Sequence, residues 1–253
     1  MTGPQTPYPV IDVFAGPGGL GEGFSSLRGE RDKPRFSSVV SIERDEFSHK
    51  TLFLRHFLHC FPHEEIPEEY YSYLNGNITV DDLYRRHKKQ FGEAKKSALR
   101  ISLNAESHEK IRRLIDRRLT RKSRWALIGG PPCQVYSGVG RSRMMGNPDF
   151  EQDERHFLYR EYLKIIIDHR PPVFVMENVK GLLSAKVAGE SVIRRIVSDL
   201  SRPKVALEND ANGLSYRLYS LSEAESAAGD VELTQFLRSF AHFGRWRRND
   251  CRT

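Results

Sequence analysis

Short apolar runs that each break off at a glycine or a polar residue most constrain how this chain folds. They are Val10-Ile11-Asp12-Val13-Phe14, Phe36 to Ile42, Trp125-Ala126-Leu127-Ile128 and Val173-Phe174-Val175-Met176. Runs of this length between turn formers read as buried strands. Segments with helical spacing lie between them. Glu46 to Cys60 puts Phe47, Leu54, Phe57 and Leu58 on one face, and Phe157 to His169 does the same with Leu158, Tyr162, Ile165 and Ile166 before stopping at Pro171-Pro172. Strands alternating with helices specify an α/β fold built on an open, mostly parallel, Rossmann-like sheet with helices on both faces.

Ligands of such sheets bind beyond the carboxyl ends of the strands, and the informative residues cluster at those ends. Phe14-Ala15-Gly16-Pro17-Gly18-Gly19-Leu20 follows the first strand and runs into a helix, a turn that lets a nucleotide-type ligand approach the backbone. Glu43 ends the second strand, where a carboxylate accepts from both hydroxyls of a ribose; a surface acid is the plain alternative. Leu74 to Ile78 is expected as the tip of a third strand, ending in Asn77-Ile78. Gly129-Gly130-Pro131-Pro132-Cys133 presents one thiol on a loop that its prolines and glycines make irregular. A lone cysteine is most often a small buried apolar residue, but its neighbours at the strand ends make Cys133 a candidate nucleophile. Glu177-Asn178 closes the set after the strand at 173–176.

The remaining segments are less regular. Residues 1–9 read as a loose leader, Pro62 to Tyr73 as an acidic, aromatic loop, and 80–124 as a charged helical insertion. The block Arg112, Arg113, Arg117, Arg118, Arg121, Lys122 and Arg124 suits either phosphate contact or a solvated helix face. Gly138 to Arg143 and the polar stretch to Arg155 read as a mobile loop able to close over a substrate. Ser191 to Leu200 is a short helix, Gly213 to Leu221 a further strand, and 223–253 a heterogeneous tail.

Charge and cysteine usage narrow the class. A net charge of +7 suits a polyanionic partner. The 3 cysteines are widely spaced, which excludes a disulfide framework or a CxxC metal site and points to a reducing cytoplasm. No apolar run approaches the ~20 residues of a membrane span, and no metal is expected.

With these residues in view, the chain resembles the DNA (cytosine-5) methyltransferases. Asp12 to Leu20 with Gly23-Phe24 looks like the family's first motif, Gly130-Pro131-Pro132-Cys133-Gln134 with Ser137, Gly140 and Arg141 like its nucleophile motif, and Glu177-Asn178-Val179 with Gly181 like its glutamate motif. The likeness covers about residues 10–220, so 10–222 is expected to be one catalytic domain. It implies S-adenosyl-L-methionine as cofactor and duplex DNA, with the target cytosine flipped out, as substrate. Cys133 would attack carbon 6 of the base. Glu177 would hold a proton at N3 and the exocyclic amine. Phe14, Ala15, Gly16, Gly18, Gly19 and Leu20 would line the methionine part of the cofactor, Glu43 its ribose, and Asn77 and Ile78 its adenine, with Pro131 beside it. Gln134, Ser137, Arg141 and Asn178 would meet the substrate. A restriction–modification role is implied by the same likeness.

The chain departs from the family where Asn77 replaces the usual aspartate and where no Pro-Gln and arginine motif or target-recognition region is recognisable before Thr253. That ending is expected of a truncated copy or of one half of a split enzyme whose second polypeptide brings the rest. The isolated chain is then expected to methylate poorly. A non-catalytic binding module with the same fold and an RNA cytosine-5 methyltransferase are the competing readings.

Overall fold

A computed structural model of the chain describes residues 6–29, 32–62, 65–119, 124–131, 158–178, 182, 186–187, 190–210 and 213–219. The chain divides into two compact units, one of Met1–Pro131 with Pro171–Glu177 and one of Pro132–Arg170 with Asn178–Thr253.

The first unit is built on a five-stranded sheet. Its strands are β1 (Tyr8–Val13), β2 (Phe36–Glu43), β3 (Ala98–Arg100), β4 (Ala126–Gly129) and β5 (Val173–Met176). Their order is β3-β2-β1-β4-β5, and every pairing is parallel. The chain runs outward from β1 through β2 to β3, then crosses back to β4 and β5. The topological switch point therefore lies between β1 and β4, where such sheets bind ligands. Both faces of β1 are covered: Val10, Ile11 and Val13 are fully buried and Asp12 nearly so. Each such buried aliphatic side chain contributes about 1.5–3 kcal/mol. A register shift between Val10 and Ile11 gives β2 an extra residue opposite β1.

Helix α1 (Gly19–Ser25) follows β1 and packs over β2 and β4. Its Leu20 and Phe24 join Val10, Ala126 and Ile128 in one apolar cluster. Between β2 and β3 come α2 (Glu46–Leu58), α3 (Glu68–Leu74), α4 (Val80–Arg86) and α5 (Lys88–Ser97). An aromatic core of Phe57, Leu83 and Ala94 with Phe53, Phe61, Tyr84 and Phe91 holds them together, the rings meeting mostly edge to face. Helix α6 (Ala105–Leu119) leads back to β4 and buries Ile111, Ile115 and Leu119 along one stripe.

The second unit holds α7 (Leu158–His169), a short antiparallel pair β6 (Lys186–Val187) and β7 (Glu190–Ser191), α8 (Val192–Ser201) and α9 (Pro203–Glu208). Helix α9 packs on both α7 and α8, and the Tyr159 hydroxyl donates to Asp199 at 2.7 Å to tie α7 to α8.

Several local expectations are corrected. Leu74 to Ile78 is not a strand. Thr79 and Asp82 form a reciprocal capping box at the start of α4, and Ile78, just before it, packs into the cluster of Leu83. A capping box with a preceding apolar residue is a helix-start signal that outweighs a short apolar fragment. The third strand is instead β3, inside the stretch expected to be wholly helical. Three residues at a sheet edge, ending in Arg100, carry too little apolar pattern to stand out. Tyr8 and Pro9 belong to β1 and not to a leader, and α3 occupies the end of the expected loop. Phe47 is 76 % exposed and off the apolar face of α2, which Leu52 and Phe57 bury instead. Residues 213–219 form no strand.

Candidate active site

The glycine-rich turn is shaped by backbone that side chains rarely tolerate. Phe14, Gly16 and Gly18 have φ of 55°, 56° and 88°. In this left-handed region a non-glycine residue carries strain of order 1–3 kcal/mol, which makes Phe14 a strained position at the start of the loop. A Cβ at Gly18 would also sit 2.8 Å from Leu52 Cδ1 and 3.3 Å from Arg55 Cδ, so those side chains would have to shift. At Gly16 a Cβ would meet nothing within 4 Å, so the loop faces open space there. That opening, beside the first turn of α1, fits a nucleotide-type cofactor approaching the backbone.

Glu43 fixes the loop from the neighbouring strand. Its Oε2 accepts from the Gly16 N–H at 2.8 Å and its Oε1 from the Asp45 N–H at 2.6 Å. The Ala15 N–H donates to the Ile42 carbonyl at 3.0 Å. A carboxylate has about four acceptor sites, so two remain for ligand hydroxyls.

Across the switch point, Gly130 follows β4 and Glu177 follows β5. The Glu177 N–H donates to the Gly129 carbonyl at 2.9 Å, which extends the β4–β5 pairing by one rung. A Cβ on Gly130 would lie 2.9 Å from Glu177 Oε2. Glycine at 130 thus makes room for the carboxylate, which is exposed at this edge. Pro131 beside it is buried.

Below the glycine turn lies a residue whose role the motif does not reveal. Asp12 is 1 % exposed, and neither of its carboxylate oxygens has a hydrogen-bond partner among the described residues. Burial, and then the charge of Glu43, push its pKa up to about 7. It borders a cleft of about 1240 Å³ between α1 and α2, with Ser38, Ser41, Arg55 and His56. His56 bridges Ser41 and Ser97 at 2.9 Å each, and burial lowers its pKa to about 4, so it is neutral. The sequence signal for Asp12 was present: one carboxylate in the middle of an otherwise apolar run.

The structure brings Phe14, Ala15, Gly16, Gly18, Gly19, Leu20, Glu43, Pro131 and Glu177 to the carboxyl edge of one sheet. Asn77 is exposed in the turn between α3 and α4, its N–H on the Ser72 carbonyl at 2.9 Å, and Ile78 packs into the aromatic core beside Phe53, which also packs on Ala15 and Leu52. Asn178 is half-buried in the second unit. Cys133, Gln134, Ser137 and Arg141 lie outside the described residues.

Residues 98–202 match the family model of the C-5 cytosine-specific DNA methylases. Over this stretch the chain is similar to that family. Its relatives agree. The type II methyltransferase M.Bpa9945I of Bacillus paralicheniformis is 33 % identical over 198 residues, 70 % of this chain and 42 % of that protein. The DNA-cytosine methyltransferase of Escherichia coli K12 is 27 % identical over 72 % of this chain and 32 % of its own length. The type II methyltransferase M.AquIA of Picosynechococcus is 25 % identical over 85 % of this chain and 65 % of itself. The chain thus spans from about a third to two thirds of these curated relatives. No solved structure matches the chain. Among the described residues, no helix is long and apolar enough to cross a membrane.

Proposed function

We propose that this chain forms the cofactor- and nucleophile-bearing part of an enzyme that methylates carbon 5 of cytosine in DNA, using S-adenosyl-L-methionine and a covalent adduct at Cys133. The observation that carries the reading is the pairing of two arrangements at one sheet edge. On one side of the switch point Glu43 clamps Gly16. On the other, Glu177 is seated against Gly130, three residues before Cys133.

The cofactor, when bound, supplies an electrophilic methyl group. Gly16, Gly18, Gly19 and Leu20, with Phe14 and Ala15, line its methionine part, Pro131 lies beside it, and the free lone pairs of Glu43 accept from its ribose hydroxyls. Asn77 and Ile78, in the turn before α4, meet its adenine, with Ile78 backed by the aromatic core.

Carbon 5 of cytosine is a weak nucleophile. Addition of Cys133 Sγ to carbon 6 turns carbon 5 into an enamine-like carbon that accepts the methyl group; loss of the carbon 5 proton and elimination of Sγ then restore the ring. Glu177 holds a proton at N3 and accepts from the exocyclic amine, which stabilises the adduct. The base reaches these groups only after leaving the stack, and Gln134, Ser137, Arg141 and Asn178 hold it or its backbone. A second polypeptide supplies target recognition where one is needed, and the names of the relatives favour a restriction–modification setting.

Trapping tests this directly. A duplex carrying 5-fluorocytosine is incubated with the cofactor and the chain, with and without a polypeptide supplying target recognition. A denaturation-resistant adduct is expected, absent in Cys133→Ala and reduced about 100-fold in rate in Glu177→Gln. No adduct in any combination sinks the reading, and an adduct on tRNA but not DNA replaces the substrate.

A further inference from the structure

Asp12 is not used by this chemistry, yet its placement is unusual. It lies on β1, two residues before the strained Phe14, and is sealed beneath α1 by Gly21, whose Cβ would stand 2.7 Å from Asp12 Oδ2. An ionised carboxylate in such a place, with no donor to either oxygen, is disfavoured against the neutral acid. Among the described residues none donates to it, and Arg28 and Arg55 line the same cleft without bonding it. On β2 the nearest ionisable group is Glu43, which is itself anionic, and Ser38 and Ser41 offer only hydroxyls. From α1 comes Glu22, which engages Arg55 at 3.3 Å and His59 at 3.0 Å. From α2 come those same Arg55 and His59, together with the neutral His56 held by Ser41 and Ser97. Strand β4 presents Ala126 to Gly129 and no ionisable group. The cofactor loop is therefore underlain by a buried carboxyl to which no described residue donates, next to a second carboxylate at the rim.

We infer, on the reading that the loop holds S-adenosylmethionine, that Asp12 is a proton-linked positioning residue: its carboxyl loses a proton when a cationic cofactor binds above it. The methyl donor has a net charge of +1 through its sulfonium; the thioether left after transfer has none. A positive charge at the loop offsets the field of Glu43 and favours the Asp12 anion. Because Asp12 is buried, salt screens this interaction less than it would between two exposed charges. The anion in turn holds the sulfonium in preference to the thioether, so Asp12 biases the site toward the donor and assists release of the spent cofactor. The proton passes to solvent, and no bond to the cofactor forms.

Calorimetry on the full chain tests this, with both cofactors titrated in buffers of different ionisation heat. The donor is expected to release a fraction of a proton, largest just below pH 7, and the thioether none; their shared amino and carboxylate groups cancel in the comparison. The affinity ratio of donor over thioether should widen about threefold to tenfold from about pH 5.5 to about pH 8. Asp12→Asn should flatten that ratio with pH. If this variant does not fold, the wild-type comparison decides alone. Equal proton release by the two cofactors, or none by either, overturns the inference while leaving the cofactor reading intact. Failure of both to bind overturns the two together.

Discussion

Asp12 and Glu43 lie near the carboxyl ends of neighbouring parallel strands, Asp12 paired with Ser41 two residues before Glu43, yet they meet opposite surroundings. Glu43, at the rim, is half-exposed and accepts two backbone N–H groups at 2.8 and 2.6 Å. Asp12, in the floor, is buried and accepts none. Hydrogen bonds to the charged form favour it, and desolvation without bonds disfavours it. Two residues of one chemical class therefore do different work around one loop. Glu43 holds the turn in shape, whereas Asp12 stores an electrostatic cost beneath it. Which role a carboxylate takes is decided by where the backbone donors point.

The largest expected consequence concerns pH. The folded pKa of Asp12 is raised from 3.8 to about 7, so the native state binds more protons than the unfolded state across that window. Stability carried by the neutral acid is fully present below about pH 4 and is lost as pH rises to about 7, with a ceiling of about 4 kcal/mol. Asp12→Asn should remove this loss, and denaturant melts of the two proteins from about pH 4 to about pH 8 should diverge steadily. Parallel curves would show that Asp12 has a partner in solution. His56 works in the opposite sense: its folded pKa is lowered from 6.5 to about 4, so its contribution is present above 6.5 and is lost as pH falls. The asparagine variant should therefore show a plainer acid limb than the wild type.

A smaller effect separates shape from charge. Gly18→Ala must adopt φ of 88° and press its Cβ to 2.8 Å from Leu52 Cδ1. A loss of about 2–3 kcal/mol is expected, with no change in pH profile. A loss under about 0.5 kcal/mol would mean the turn relaxes easily and that Glu43 alone does not hold it.

The smallest effect lies at the start of α4. Thr79→Ala removes one half of the capping box of α4 and should cost about 1 kcal/mol in denaturant melts. An accompanying loss of cofactor affinity would tie the α3–α4 turn, with Asn77 and Ile78, to the pocket, and an unchanged affinity would separate them.

The central strands were readable because burial on both faces leaves an apolar run that needs no context, as at Ile11 and Leu127. The glycine turn and Glu43 were readable because only a few residue types satisfy such a turn or accept from two hydroxyls. Strand β3 was not readable. Three edge residues gain most of their stability from the ladder to Ser41, Ile42 and Glu43, which is a long-range pairing. The turn at Asn77 and Ile78 misled for the related reason that an apolar residue before a helix cap looks like the end of a strand.

By itself, the sequence determined the parallel α/β class, the glycine turn after the first strand, and the acids that close the second strand and follow the strand at 173–176. These depend on local pattern and on the chemistry of single side chains. Tertiary structure alone decided which strand forms the edge, that Gly130 makes way for Glu177, and that Asp12 has no hydrogen-bond partner among the described residues. Each depends on what the neighbouring chain segments bring within reach, and desolvation has no meaning until those neighbours have excluded the water.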